Sequence, residues 1–531
     1  MPHMPEQRGR ESNLNKVLRY LNDADVGIIG IWGLGGVGKT SLLHRINNSF
    51  LPLNGHRSAM FHHVIWATVS KDCTVKQLQR KIAKRLGMPS PDNEQEEATE
   101  REQATAIFNH LNCRNFLLLL DDLWHQVDLE AVGVPIPSRP TGQHKHKVVF
   151  TTRTEQACGS MGANKMIKIN CLKQQDAWQL FQDMVGQDTL ESHPKIRGLA
   201  RQVVKECRGL PLALTVIGKA MSMRKTPKEW QNAITLLRRS KLPEILEKDE
   251  DMFPRLKLSY YYLPDDSIRK CFLLCALWPK DFCINKRELI ECWMGHGLID
   301  VGVFDDINDA YDSGHTIIGT LKSACLLEPG INEDDQVKMH DIIGDMARWI
   351  AADGDENNQK LIVQSGAIFC RSPADLNVWA MVEQVSIIRS EIREFPGAPP
   401  VCPNLVTLML QSNRSLKFIP SNFFVSFPAL TYLNLSETQI FELPPDISQA
   451  KNLQYLNLSS TLITRLPESL RYLTKLKFLL LRRLRRLTEI PPGVISKLSM
   501  LEVLDLTDTR YEHLGEFEAL TQGSRNHREN S

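Results

Sequence analysis

The stretch VGIIGIWGLGGVGKTS (Val26–Ser41) decides the fold of the N-terminal third. Its first half is a short apolar run of strand character. Its second half, Gly33, Leu34, Gly35, Gly36, Val37, Gly38, Lys39 and Thr40, fits the phosphate-loop pattern GxxxxGK[ST]. After Ser41, the residues Leu42, Leu43 and Ile46 recur at helical spacing, so the loop leads from a strand into a helix. Each residue type has a physical task there. The glycines let backbone N–H groups curl around phosphate oxygens, Lys39 supplies a cation for the outer phosphates, and the Thr40 hydroxyl is placed to ligate Mg²⁺ at the positive end of the helix.

Four further apolar runs follow: Val64–Val69, Phe116–Leu120, Val148–Thr152 and Met166–Ile169. Separated by helical or loop-like stretches, they have the rhythm of a parallel sheet. Phe116–Leu120 ends in Asp121 and Asp122, carboxylates at the C-terminal edge of a strand beside the phosphate loop. Asp121 is the candidate Mg²⁺-side ligand and Asp122 the candidate for orienting a hydrolytic water. Arg153 closes the fourth run, where a guanidinium could meet a terminal phosphate through forked hydrogen bonds. A lone arginine after a strand is usually a surface residue, and only the order of its neighbours favours this role. Val75, Leu78, Ile82 and Leu86 form a helix face turned to the sheet, which leaves Lys76, Arg80 and Lys84 as its solvated side.

Beyond about residue 176 the patterns turn helical. Pro211 restarts a helix just after Gly209 ends one, and Met339, Ile342, Ile343, Met346 and Ile350 make one apolar stripe. The last third repeats itself. Leu405, Leu408 and Leu410 recur as Leu430, Leu433, Leu435, then Leu453, Leu456, Leu458, then Leu476, Leu479, Leu481, then Leu501, Leu504, Leu506, with Val382, Val385 and Ile387 as a weaker first copy. This LxxLxL register every 23 to 25 residues is that of leucine-rich repeats. The positions between the leucines (Thr407, Met409, Tyr432, Asn434, Tyr455, Asn457, Phe478, Leu480, Val503 and Asp505) are expected to be exposed on a concave recognition face suited to a protein partner.

Composition narrows the class. With 531 residues there is room for several domains, and 42% hydrophobic with 24% charged residues is ordinary for folded globular chains. The net charge of +2, from 64 basic and 62 acidic residues, creates no overall field for nucleic acid or anionic membrane. The basic run Arg482, Arg483, Leu484, Arg485, Arg486 reads either as a nucleic-acid or nuclear-import patch or as a solvated turn where a repeat leaves its strand. Met1–Asn13 lacks the apolar core of a secretion signal, and no apolar run has the length of a transmembrane segment, which points to an intracellular protein. The 12 cysteines form no CxxC framework and read as reduced, buried thiols. Cys271 and Cys275, four apart, leave a metal or redox pair open beside the core reading.

Together these pieces make the chain similar to the plant nucleotide-binding (NB-ARC), leucine-rich-repeat disease-resistance proteins of the coiled-coil class. The resemblance rests on the phosphate loop, FHHVIWATVS (Phe61–Ser70), LLLLDDLW (Leu117–Trp124), VVFTTR (Val148–Arg153), GLPLA (Gly209–Ala213), CFLLCALWPKDF (Cys271–Phe282) and MHD (Met339–Asp341), in the family's order. It implies a multidomain fold, in which an α/β P-loop NTPase with a parallel sheet is followed by helical and winged-helix modules and an α/β leucine-rich-repeat solenoid. The expected division is a P-loop domain over 1–175, a helical module over 176–250, a winged-helix module over 251–352, a linker over 353–380, repeats over 381–516 and a tail over 517–531.

The resemblance also implies roles that spacing alone does not show. Pro211 would pack by the adenine and ribose, and Gly9, Arg10 and Glu11 would border the base. His340 and Asp341 would sit under the β-phosphate of ADP; on the residues alone, His340 is more often a satisfied structural histidine. The implied activity is an ADP/ATP switch with Mg²⁺ and slow ATP hydrolysis. It would be held in the cytoplasm or at the periphery of the plasma membrane, read a pathogen effector or guarded host protein at the repeats, and self-associate on activation, with no direct nucleic-acid partner. A turnover-driven ATPase with a repeat docking arm, or a binding-only decoy scaffold, are the alternatives. Departures from the family are Lys280, where an acidic residue is usual, a coiled coil almost wholly missing before Gly9, and a polar end, Gln522–Ser531, unlike a repeat cap. A fragmentary or decoy gene product is one reading of these departures.

Overall fold

The structure, a computed structural model, describes all residues except 1–7, 51–59, 70–72, 89–98, 138–144, 240–251, 281, 305, 353–360, 364–378, 391, 396, 398 and 510–531, and the side chains of 8–11 and 239. The side chains of Gly9–Glu11, most of the stretch read as a linker, and the tail thus lie outside the described residues. The chain divides into two units, 1–262 and 263–531.

The first unit is built on a five-stranded parallel sheet: β1 (Ile28–Trp32), β2 (His63–Thr68), β3 (Phe116–Leu123), β4 (His146–Thr152) and β5 (Lys165–Lys168), in the order β2-β3-β4-β1-β5. β3 is apolar without alternation because Phe116 to Leu120 are all buried, the signature of a parallel strand covered on both faces. Helix starts are written locally. Thr74 with Gln77 and Thr99 with Glu102 form reciprocal capping boxes at the heads of Val75–Arg85 and Glu100–Asn112. The Val75–Arg85 helix buries Leu78 and Ile82 as its pattern requires. Next come the helices Gln174–Val185, Ile196–Glu206, Pro211–Met221 and Pro227–Arg239. The helix Phe253–Tyr261 was expected to open the winged-helix module. It packs instead on Pro211–Met221 and Pro227–Arg239, with Phe253, Leu256 and Leu258 buried, because its apolar side matches theirs.

The second unit begins with a winged-helix module. Its helices include Asp266–Leu274, Lys286–Gly295, Ile307–Ser323 and Asp341–Ala351, beside a small antiparallel sheet of β6 (Ile284–Asn285), β7 (Glu328–Pro329) and β8 (Gln336–Lys338). The apolar stripe of Asp341–Ala351 is buried through Ile342, Ile343, Met346 and Ile350. Cys271 and Cys275 are both buried, and desolvation pushes the Cys271 thiol up to about 12 and the Cys275 thiol well above its ordinary value, as for small core residues.

The repeats supply a seven-stranded parallel sheet: β9 (Leu361–Val363), β10 (Gln384–Ser386), β11 (Thr407–Met409), β12 (Tyr432–Asn434), β13 (Tyr455–Asn457), β14 (Phe478–Leu480) and β15 (Val503–Asp505). Six of these strands carry the repeat register; β9 lies inside the stretch read as a linker and pairs with β10, so that stretch contributes an edge strand. The leucines stack into one continuous core. After each of the six repeat strands the chain turns through one left-handed residue, in order Arg389, Ser412, Glu437, Ser460, Arg483 and Asp508, with φ between 51° and 62°. None is glycine, so the periodic turn costs strain at every repeat, of order 1 kcal/mol each.

Candidate functional site

In the first unit the candidate residues converge at the carboxyl ends of the sheet strands, where open α/β sheets hold ligands. β1 runs into the phosphate loop, which turns through left-handed Gly36 (φ 67°) and Gly38 (φ 99°) into the helix Lys39–Ser49. A Cβ on Gly36 would lie 2.8 Å from the Leu212 side chain, and the Leu212 N–H donates to the Gly36 carbonyl at 3.2 Å. The loop and the head of the Pro211–Met221 helix are therefore in contact, so Pro211, at the first position of that helix, stands next to the loop. Gly209, two residues before Pro211, packs closely on the chain after β5. It is left-handed at φ 70°, and a Cβ there would lie 2.2 Å from the Leu172 carbonyl oxygen.

Lys39 is 7% exposed, and its Nζ donates to the carbonyl oxygens of Gly33 at 2.8 Å and Leu34 at 2.9 Å, an ammonium folded over its own loop. Thr40 Oγ1 donates to Asp121 Oδ1 at 3.2 Å, and Thr151 Oγ1 donates to the same oxygen at 2.6 Å. Asp121 is 5% exposed; desolvation raises its pKa against those two hydroxyl hydrogen bonds, and the Asp122 carboxylate adds to the rise. A buried carboxylate and a hydroxyl aimed at one another are hard oxygen donors of the kind Mg²⁺ takes.

Asp122, the next residue, has partners of its own. β3 bulges between Leu120 and Leu123, and Asp122 takes φ 54° with its N–H donated to Thr151 Oγ1 at 2.8 Å. Its carboxylate accepts from Trp124 Nε1 at 2.9 Å and faces Arg153 Nε at 3.6 Å. Arg153 stands at the end of β4 as expected, its guanidinium 4.2 Å from the centroid of the Trp124 ring. Sequence reasoning missed Trp124. Its signal was an indole two residues beyond the acidic pair.

His340 belongs to the second unit. Its Nδ1 accepts the Ile342 N–H at 3.2 Å and so caps the helix Asp341–Ala351, the structural role that its residue type allowed. A pocket beside it is lined by Trp278, Lys280, Met339, Asp341 and Arg348. Lys280 at 2.7 Å and Arg348 at 2.9 Å flank Asp345 and hold its carboxyl below the ordinary range even though burial works the other way. The lysine that departs from the family pattern is thus balanced within its own module.

The repeat face corrects the sequence reading. Thr407, Met409, Tyr432, Asn434, Tyr455, Asn457, Phe478 and Leu480 are buried, and Val503 and Asp505 are partly covered. The covering element is the Lys286–Gly295 helix of the winged-helix module with the residue after it. The His296 ring stacks on Tyr432 at 4.7 Å, Tyr432 stacks on Tyr455 at 4.3 Å, and Phe478 follows at 5.9 Å. Gly295 has no room for a side chain, since a Cβ would come within 2.6 Å of the Tyr455 ring. Gln411 Nε2 donates to Glu288 Oε1 at 2.9 Å, and Arg482 Nη2 donates to Glu291 Oε2 at 2.6 Å. The basic run is accordingly split: Arg482 is spent on Glu291 and Asp505, Arg483 makes the left-handed turn, Leu484 is in the core and Arg485 is exposed beside Asp508. Neither the nucleic-acid reading nor the solvated-turn reading describes Arg482.

This seam has a consequence for pH. His296 Nε2 lies 2.9 Å from Thr407 Oγ1, and desolvation draws its pKa down to about 4. The unfolded chain, with a histidine near 6.5, takes up a proton first as pH falls, so stability present above pH 6.5 is lost progressively toward pH 4. Chemical denaturation at pH 7 and pH 5 is expected to show His296→Gln losing ~1–2 kcal/mol less than the parent between the two. Equal losses would mean that the ring is not held neutral in the seam.

Known proteins match along the chain. An NB-ARC domain model matches residues 10–191, a disease resistance protein winged helix domain model 277–347 and a leucine-rich repeat region model 384–522. Disease resistance protein RFL1 of Arabidopsis thaliana is 41% identical over 94% of this chain and 55% of its own length, and disease resistance protein RPS5 of the same plant is 41% identical over 96% and 56%. The chain thus spans a little over half the length of these relatives. Among solved structures, a signal transduction ATPase with numerous domains carrying a tetratricopeptide repeat sensor, from Pyrococcus horikoshii, aligns over 66% of this chain and 43% of its own with 15% identity and a TM-score of 0.38. No helix among the described residues is long and apolar enough to cross a membrane. With the three domain matches in the order of the fold, and relatives at 41% identity across nearly the whole of it, the chain belongs to the NB-ARC leucine-rich-repeat disease resistance proteins.

Proposed function

We propose that the chain acts as a plant immune receptor: an intracellular molecular switch, cytoplasmic or peripheral at the plasma membrane, that holds ADP in one state and ATP in another. The observation that carries this reading is the linked cluster at the sheet edge, in which Thr40 and Thr151 share one oxygen of buried Asp121 while Lys39 lies folded over the phosphate loop. Gly33, Leu34, Gly35, Gly36, Val37, Gly38 and Ser41 would present backbone N–H groups and a helix N-terminus to the phosphates. Thr40 and Asp121 would hold Mg²⁺, which when bound neutralises charge between the outer phosphates. Pro211, beside the loop, would border the adenosine, and Arg153 would meet a terminal phosphate.

Hydrolysis in this reading is slow, and Asp122, which Trp124 and Arg153 border, would be the residue that orients the water. The repeats would read a pathogen effector, directly or through a guarded host protein. A ligand directed at the strand face would have to compete with the Lys286–Gly295 helix that now occupies it. Nucleotide can shift such a closed form only by interacting differently with the closed and open arrangements. Self-association would follow opening.

Mass spectrometry of the nucleotide released from natively purified chain tests the proposal. Stoichiometric ADP is expected, with no sustained multiple turnover when Mg²⁺ and ATP are added. Failure to take up either nucleotide at millimolar concentration would remove the basis of the switch.

A further inference from the structure

The register of the sheet places three residues at one level. Trp32 of β1, Thr152 of β4 and Leu123 of β3 form a single rung, and the next residue on each strand is Gly33, Arg153 and Trp124. The start of the phosphate loop, a guanidinium and an indole thus leave the sheet side by side. Arg153 lies with its carbon 4.2 Å from the centroid of the Trp124 ring, whereas its Nε is 3.6 Å from Asp122 Oδ1, beyond hydrogen-bond range. The ring and the carboxylate thus both border the guanidinium. The Trp124 Nε1–H meanwhile donates to Asp122 Oδ2 at 2.9 Å, and Asp122 is itself pinned in a left-handed conformation by Thr151.

From this geometry we infer that Trp124 is a positioning residue for nucleotide discrimination: its indole seats the Arg153 guanidinium at the mouth of the phosphate loop, so that a terminal phosphate meets an arginine already in place. The inference rests on the nucleotide-binding reading and deepens it. Stacking engages the face of a guanidinium, and its N–H bonds lie in the plane, so a seat on a ring is compatible with forked donation to phosphate oxygens. An unsupported arginine loses its rotamer freedom when it grips a phosphate; one held beforehand by a ring loses less. By drawing on Asp122 through Nε1, Trp124 also occupies part of the carboxylate that would otherwise compete for Arg153. The benefit falls on the nucleotide with the extra phosphate.

The test compares equilibrium affinities of the full chain for Mg·ATP and Mg·ADP, read by displacement of a fluorescent ADP analogue. Trp124→Leu is expected to weaken ATP about tenfold while ADP stays within about twofold. Trp124→Phe, which keeps a ring face and loses the N–H, is expected to retain most of the ATP affinity. In an Arg153→Ala background, Trp124→Leu should add no further loss, because the ring then has nothing to seat. Equal weakening of ATP and ADP would overturn the inference in favour of a purely structural tryptophan, and so would unchanged discrimination in Trp124→Leu. A parent chain that bound neither nucleotide would overturn the underlying reading and this one with it.

Discussion

Purified Lys39→Ala is expected to carry no nucleotide and to bind Mg·ADP at least about 100-fold more weakly than the parent. The reason is local. Lys39 is the cation of the phosphate loop, 7% exposed and anchored by the carbonyls of Gly33 and Leu34, so its charge acts where water screens it poorly. Hydrogen bonds to a charged partner contribute about 1.5–3 kcal/mol each, and loss of the ammonium removes more than one of them from a diphosphate, which corresponds to about two or more decades of affinity. Lys39→Arg keeps the charge but substitutes a planar fork for a compact ammonium in a closed loop, and should recover little. Isothermal titration with ADP, alongside the far-ultraviolet spectrum to verify folding, checks the expectation. Parent-like ADP content in a folded Lys39→Ala chain would detach the loop from nucleotide binding altogether.

What could be read from the sequence was what lies close along the chain. The phosphate loop, the strand that precedes it and the apolar face of the helix that follows are contiguous, and each constrains the next. The repeats were legible for a different reason, since six copies of one register leave a single stacking solution. The aromatic positions Tyr432, Tyr455 and Phe478 were misread as exposed because exposure is a property of what lies above a surface. That surface is covered by Lys286–Gly295, more than 130 residues earlier. One signal was available: three aromatic rings at the same repeat position form a stripe that water does not favour. Asp122, Trp124 and Arg153 likewise stand within recognisable motifs, but nothing in their spacing says that one indole meets both the carboxylate and the guanidinium. Only the strand register brings Trp124 and Arg153 to one level.

Arg482→Ala is expected to destabilise the second unit by about 3 kcal/mol, a large effect for a residue on a repeat turn. Glu291 is 5% exposed and receives Arg482 at 2.6 Å, Arg287 at 3.1 Å and the Tyr311 hydroxyl at 2.8 Å, while Asp505 joins Arg482 at 3.1 Å and Arg287 at 3.6 Å. Removing Arg482 leaves Glu291 with only the weaker, half-exposed Arg287 as a cation, and a buried carboxylate short of its main partner is costly. The pair itself need not be strongly stabilising. Replacing both members by methionine should recover most of the loss, because desolvation of two charges offsets much of their attraction. Denaturant unfolding of the parent, Arg482→Met, Glu291→Met and the double variant measures this directly, and a coupling energy near zero would show that the two charges do not depend on each other. The same variants separate stability from exposure. If Arg482 fastens the helix over the strand face, hydrogen exchange in Arg482→Ala should rise first in Lys286–Gly295, while β12 to β14 stay protected by their own ladder. Uniform loss of protection across the repeats would instead make Arg482 a support of the solenoid, with no particular hold on the helix that covers it.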